Sequence, residues 1–411
     1  MNTSVDFNLR YPILTALALA LGSAISLGIS RFSYALFLPL MRADLHWSYF
    51  TAGNMNTANA IGYLIGALSC GWLFKYFKLS HIFLIGTFFT ILLIALPGLF
   101  ISDPLFFMVR LLVGYTSAMV FVGGGVLATQ LAAEHPKQSG IILGIFYGGV
   151  GLGIMLSSPI VYFVEQLGQE AHIGHPWQWA WLVLGGLALI LAFIMYVPTS
   201  QLNSPKNHNG QTQKLSLYPS LWMIVGYFLY GLGYIGYMTF VVALLRQMGI
   251  SLVVVNIFYA VLGFAIMCSS RIWAKPLDRY QGGQTLTMVN LMMSMGCLIP
   301  TVIALSIEDG QVTSIQVALI FISALTFGSS FLTAVSSTTA FVKHNYEPTQ
   351  WVFGIRVFTI TFALGQIIGP ILIGYISDYG GGLAIGLLIS GVILLLGSIT
   401  AWKQKPLHAV A

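Results

Sequence analysis

Most charges in this chain fall in short intervals between twelve long apolar stretches, and that spacing leaves little choice of fold. Of 411 residues, 57% are hydrophobic and 7% charged, with a mean hydropathy of +0.87, against roughly 25% charged residues in soluble domains. A helix that crosses a bilayer needs about 20 mostly apolar residues and satisfies its own backbone in lipid. The stretches lack the alternation of a barrel strand, so they predict helices over 12–40, 48–74, 80–100, 104–131, 140–164, 177–197, 219–246, 253–274, 284–306, 314–342, 349–376 and 381–402. The expected fold class is an all-α polytopic membrane protein with twelve transmembrane helices.

Polar residues from Pro198 to Tyr218, among them Asn203, Ser204, Pro205, Lys206, Asn207 and Gly210, read as a linker. The expected division is therefore 1–197, a cytoplasmic linker 198–218, and 219–411, six helices on each side. Orientation follows from the loop cations. With the amino terminus inside, Arg10, Lys75, Lys78, Lys137, Lys206, Lys214, Arg271, Lys275, Arg279, Lys343, Lys403 and Lys405 are cytoplasmic, and only Arg42 and Arg246 lie outside. Both termini are then expected in the cytoplasm of a bacterial inner-membrane protein. The net charge of +6 is dispersed over short loops without a basic run, which fits membrane insertion and excludes a nucleic-acid patch. Cys70, Cys268 and Cys297 have no metal-ligand spacing and are expected as reduced thiols, and the first apolar segment as a retained helix rather than a cleaved leader.

Away from their ends the apolar stretches hold three ionisable residues, Arg31, Arg110 and Arg356, and no Asp, Glu, Lys or His. A charge at membrane depth is costly and normally faces a protein-lined cavity. Guanidinium groups offer planar, bidentate recognition of carboxylates and hold their proton, which suits a fixed anion site. Arg31 and Arg110 are expected at a similar depth near the outer half, Arg356 nearer the cytosol. Structural alternatives stand beside each: Arg110 and Arg31 as donors to carbonyls of a neighbouring helix, Arg356 as an interfacial snorkeller.

The two halves echo each other. Tyr11-Pro12 and Tyr218-Pro219 open the first and seventh helices, and Ser157-Ser158-Pro159 corresponds to Ile368-Gly369-Pro370. Together with SRFSYALFLPLM (30–41), ANAIGYLIGAL (58–68), Arg110 and Gly114 in RLLVG, and YFLYGLGYIGYMTF (227–240), this resembles a major facilitator superfamily transporter of the bacterial YbfB/YjiJ-type branch. The resemblance implies two pseudo-symmetric six-helix bundles, alternating access around a midplane site, a path lined by the first, fourth, seventh and tenth helices, and lipid contact by the third, sixth, ninth and twelfth. The loop after the second helix departs from the superfamily pattern, with Lys75 where an Asp is usual. The counterpart after the eighth keeps Asp278 and Arg279, to which the resemblance gives a gating role. The glycine-rich fifth helix, GIFYGGVGLGIMLSSP (144–159), has a sufficient packing reason for its glycines.

Polar stripes at helical spacing nominate a cavity wall. Tyr227, Tyr230, Tyr234 and Tyr237 share one face of the seventh helix, and Thr326, Ser330, Thr333 and Ser337 one face of the tenth. Ser23, Ser26, Ser30 and Tyr34 mark the first helix, Asn56, Asn59 and Tyr63 the second, and Arg356, Thr359 and Gln366 the eleventh. The substrate-binding candidates are Arg31, Tyr34, Asn59, Arg110, Tyr227, Tyr230, Tyr234, Ser330, Thr333, Arg356 and Gln366. Four phenols on one face need partners, which a wet cavity would supply. The bland reading is that these hydroxyls and amides return hydrogen bonds to helices.

Every His is placed in a loop or tail, so a coupling proton would travel on the anion or use a boundary acid such as Asp44, Glu134 or Asp378. The expected function is secondary-active uptake of a small organic anion such as a carboxylate by a monomer. No cofactor or metal is expected, and the partners are the cargo, the bilayer and a co-transported proton. Export of drugs or metabolites is the alternative. A non-transporting sensor lacks an output domain, and no catalytic constellation argues for an enzyme.

Overall fold

A computed structural model describes residues 11–170, 174–202, 216–307 and 312–407. Arg10, Lys206, Lys214, Glu308, Asp309, His172, His208, His408 and the linker residues 203–215 lie outside the described residues. Among the described residues twelve helices are long and apolar enough to cross a membrane. They are α1 (Pro12–Asp44), α2 (Tyr49–Tyr76), α3 (Leu79–Ala95), α4 (Asp103–Glu134), α5 (Ser139–Glu170), α6 (Pro176–Ser200), α7 (Leu221–Gln247), α8 (Leu252–Ile272), α9 (Gln284–Ser306), α10 (Ser314–Asn345), α11 (Trp351–Tyr379) and α12 (Leu383–Trp402).

Helix starts follow local chemistry. Proline stands in the first turn of α1, α4 and α6, where a missing N–H costs nothing. Thr313 and Gln316 form a capping box ahead of α10, each side chain bonded to the other residue's backbone N–H, at 3.3 and 2.8 Å. Ser251 caps α8 by accepting from Val254 N.

The chain folds into two compact units. One comprises Met1–Asp44 and Ala58–Asn207, the other Leu45–Thr57 and His208–Ala411. The start of α2 thus groups with the second unit. Enclosure is greatest for α1 and α7, with 78% and 83% of their most apolar window buried against 39% to 56% for the other ten.

In the first unit close backbone approach substitutes for an aqueous hydrophobic drive, which helices in lipid lack. A Cβ on Gly62 of α2 would sit 1.8 Å from the Leu111 carbonyl oxygen of α4, and one on Gly153 of α5 2.3 Å from the Ala24 oxygen of α1. The fifth-helix glycines therefore act in packing. Large apolar side chains instead cover the outer faces of α3 (Ile85, Phe88, Phe89, Leu92) and α6 (Phe193, Ile194, Val197), and these are exposed at helical spacing.

Two expectations are corrected, and one boundary acid gains partners. The fifth span was expected to stop at 164, yet α5 runs on to Glu170 and buries Glu165 at 4% exposure, so this helix carries a buried acid. His81 and His344 lie in the terminal turns of α3 and α10 rather than in loops, both exposed. Asp44 pairs with His175 Nδ1 at 2.7 Å and accepts from Trp177 Nε1 at 2.6 Å, tying the end of α1 to the start of α6.

In the second unit Asp378, near the end of α11, accepts from the backbone N–H groups of Tyr49 and Phe50 at 2.9 and 2.8 Å. The carboxylate satisfies two orphan donors of α2 and complements the positive end of its dipole. Asp378→Ala is expected to cost about 1–2 kcal/mol, read as a lower melting temperature of detergent-purified protein, with Asp378→Asn retaining part of the loss. An unchanged melting temperature in the alanine variant would refute this cap.

Candidate functional site

The polar core of the first unit is built on a departure from α-helical geometry. Within α1, Ala24–Phe32 is a π-helix set between α-helical Pro12–Ser23 and Tyr34–Asp44. Such segments are rare and recur at functional sites. It carries Arg31, 3% exposed, and its serines satisfy the widened turns from within: Ser26 Oγ donates to Ser23 O at 3.3 Å, Ser30 Oγ to Ser26 O, and Ser33 Oγ to Ile29 O.

Arg110 of α4, 2% exposed, reaches the same turn: Nη1 donates to Ser30 O at 2.8 Å. Its guanidinium carbon lies 4.7 Å from the centroid of the Tyr34 ring. Asn59 of α2 in turn donates from Nδ2 to the Arg110 backbone oxygen at 3.3 Å. These two hydrogen bonds join α2 to α4 and α4 to α1. Arg31 lies 5.7 Å from the ring centroids of both Tyr63 and Phe32. Aromatic faces offset part of the cost of keeping guanidinium groups at this depth. Arg31, Tyr34, Asn59 and Arg110 are thus brought together, and Arg110 donates to the residue adjoining Arg31.

The second unit gathers the aromatic candidates. Tyr227, Tyr230 and Tyr234 stack in sequence on α7, with centroids 5.4 and 4.9 Å apart and interplanar angles of 17° and 19°. Phe362 of α11 lies nearly parallel to all three, at 5.4, 5.4 and 5.6 Å. Tyr230 donates to Phe331 O at 2.9 Å, and Gln366 Nε2 donates to the Tyr234 hydroxyl. Tyr237 shares a hydrogen bond with Ser323 Oγ at 3.3 Å. The hydroxyls of Tyr230, Tyr234 and Tyr237 thus have protein partners, and all four tyrosines of the stripe are 2% exposed or less. Ser330 Oγ and Thr333 Oγ1, buried on α10, have no hydrogen-bond partner among the described residues. Buried hydroxyls in that state are uncommon and mark places where a solute or water completes the bonding.

Arg356 does not join this group. It is exposed in the second turn of α11, about 15 Å of helix rise from Gln366. Thr359 spends its hydroxyl on Ile355 O at 2.8 Å. Asp278 and Arg279 are exposed at the end of the short helix Ala274–Arg279, with the Arg279 guanidinium 5.7 Å from the Tyr280 centroid. Sequence reasoning missed Phe362 and Ser117. Both signals were present: Phe362 is four residues before Gln366, and Ser117 seven after Arg110, so each shares a helical face with a nominated residue.

Twelve apolar helices, two units and polar groups held at membrane depth define a multi-pass membrane protein of the secondary-transporter class. Residues 23–401 match the family described as uncharacterised MFS-type transporter YbfB, and the chain belongs to that family. Known structures agree on the fold. A bacterial homologue of the human lysosomal transporter Spinster, inward-facing and unoccupied, matches with a TM-score of 0.71 at 14% identity, over 96% of this chain and 98% of that one. The nucleoside transporter NupG matches at 0.67 and 16% identity, over 98% and 100%. The proton:xylose symporter XylE, bound to 6-bromo-6-deoxy-D-glucose, matches at 0.67 and 12% identity, over 96% of each chain. No curated protein matches. Fold and family are those of transporters, which are not enzymes.

Proposed function

We propose that this transporter takes up a small organic anion, with carboxylates as the first class to test, across a bacterial inner membrane with both termini in the cytoplasm. The observation that carries the reading is Arg31, a guanidinium 3% exposed in a π-helical turn beside Tyr63 and Phe32. Arg31 is the cation assigned to cargo, and Arg110, which donates to Ser30 O, adjoins it. Tyr227, Tyr230, Tyr234 and Gln366 offer an aromatic wall with one amide, and Ser330 and Thr333 two hydroxyls for the polar end of a solute. Arg356, being exposed, is assigned to the entry region, and Asp278 with Arg279 to gating. A proton taken up with the anion by a monomeric carrier completes the proposal.

Uptake into proteoliposomes tests it. Mono- and dicarboxylates should accumulate at least tenfold faster than neutral sugars, nucleosides or cationic dyes. Movement of sugars or nucleosides without carboxylates would overturn the anion reading and favour a neutral polyol read by Gln366, Ser330 and Thr333.

A further inference from the structure

The π-helical turn of α1 is gripped from two sides, and the grip bears on where Arg31 points. On one side α4 holds Ser30 twice: Arg110 Nη1 donates to its main-chain oxygen at 2.8 Å, and Ser117 Oγ lies 2.9 Å from its side-chain Oγ. Ser30 Oγ also bonds Ser26 O inside the turn, so this hydroxyl joins the widened backbone to α4. On the other side Gly28 meets α5 so closely that a Cβ there would be 2.6 Å from both Gly153 Cα and Val150 O. Ser30 and Ser117 are each 1% exposed, so water does not compete for the hydroxyl pair.

The register matters because it aims a side chain. An α-helix turns 100° per residue, and closing i→i+5 bonds instead reduces this to about 80°. Relaxation of Ala24–Phe32 to an α-helix would swing Arg31, relative to Ala24, by an angle on the order of 140°. The serine-rich sequence can satisfy either register, and the contacts to α4 and α5 favour the wider one.

We propose that Ser117 is a positioning residue: through Ser30 it holds the π-helical register of α1 and so sets the direction in which Arg31 presents its guanidinium. The cargo-binding part of this proposal rests on the anion reading of Arg31, and the register part does not.

Ser117→Ala, Ser117→Thr and Ser117→Cys are compared with the unaltered protein in two assays. In proteoliposomes, Ser117→Ala should raise KM for the transported carboxylate about tenfold and leave the maximal rate within twofold, while Ser117→Thr restores KM. In detergent, the rate at which phenylglyoxal modifies Arg31, followed by peptide mass spectrometry, should change at least threefold in Ser117→Ala and return in Ser117→Thr. Ser117→Cys, which keeps the volume with a weaker donor, should fall between and guards against a folding defect in the alanine variant. An unchanged Arg31 modification rate in folded Ser117→Ala overturns the proposal. Should the unaltered protein carry only neutral solutes, the anion reading fails and the modification rates alone decide the register.

Discussion

Exchange of Arg31 for glutamine is expected to raise KM for the transported anion about 10- to 100-fold, the size of a lost charge-assisted hydrogen bond in a dry site. Lysine should recover little of it. A lysine keeps the charge but not the planar fork, and it has no place for its strongly hydrated ammonium between the Tyr63 and Phe32 rings, each 5.7 Å from the native guanidinium. Transport kinetics of both variants, alongside their melting temperatures, make the measurement. Full affinity in both would move Arg31 to the same clamping role as Arg110. Full affinity in lysine alone would leave a point charge as the recognition element and remove the bidentate argument.

The second large effect is on stability. Gly62→Ala puts a methyl group 1.8 Å from the Leu111 carbonyl oxygen, and neither helix can yield without moving backbone. Overpacking of this kind costs about 1–3 kcal/mol and sometimes more, so the variant should give little monodisperse protein and a melting temperature lower by several degrees. Gly71→Ala, on the same helix with nothing within 4 Å of the added carbon, is the internal control and should behave as the unaltered protein. The Gly62 change should also weaken transport, because separating α2 from α4 removes Asn59 from the Arg110 backbone oxygen, 3.3 Å away, and loosens the clamp on α1. Equal yields and melting temperatures for the two variants would show that this helix pair tolerates separation.

Much of the architecture was legible because lipid imposes a simple rule on sequence. Length and hydropathy marked twelve helices. Errors came where a charge was read as a boundary. Glu165 ended a predicted span, yet it is 4% exposed inside α5, since burial against neighbouring helices lets a helix carry an acid beyond the point where hydropathy stops. Site residues were legible as faces rather than as partners. The stripe of Tyr227, Tyr230 and Tyr234 was visible from spacing, but the cover supplied by Phe362 and Phe331 comes from α11 and α10 and has no counterpart in the local pattern of α7. Arg356 shows the opposite failure: it met the rule for a buried arginine by position in an apolar stretch, and the fold left it exposed.

Spacing of apolar residues, loop cations and prolines determined by themselves that this chain is a twelve-helix membrane protein, since each helix closes its own backbone hydrogen bonds and needs no partner to be recognised. Tertiary structure alone decided the register of Ala24–Phe32, which no local preference distinguishes from an α-helix. Arg110 and Ser117 of one neighbour hold Ser30 of that segment, and Gly28 lies against Gly153 of another, contacts that no pattern within α1 announces. The direction of Arg31, and with it the reading of the cargo, is therefore a property of three helices and not of the one that carries it.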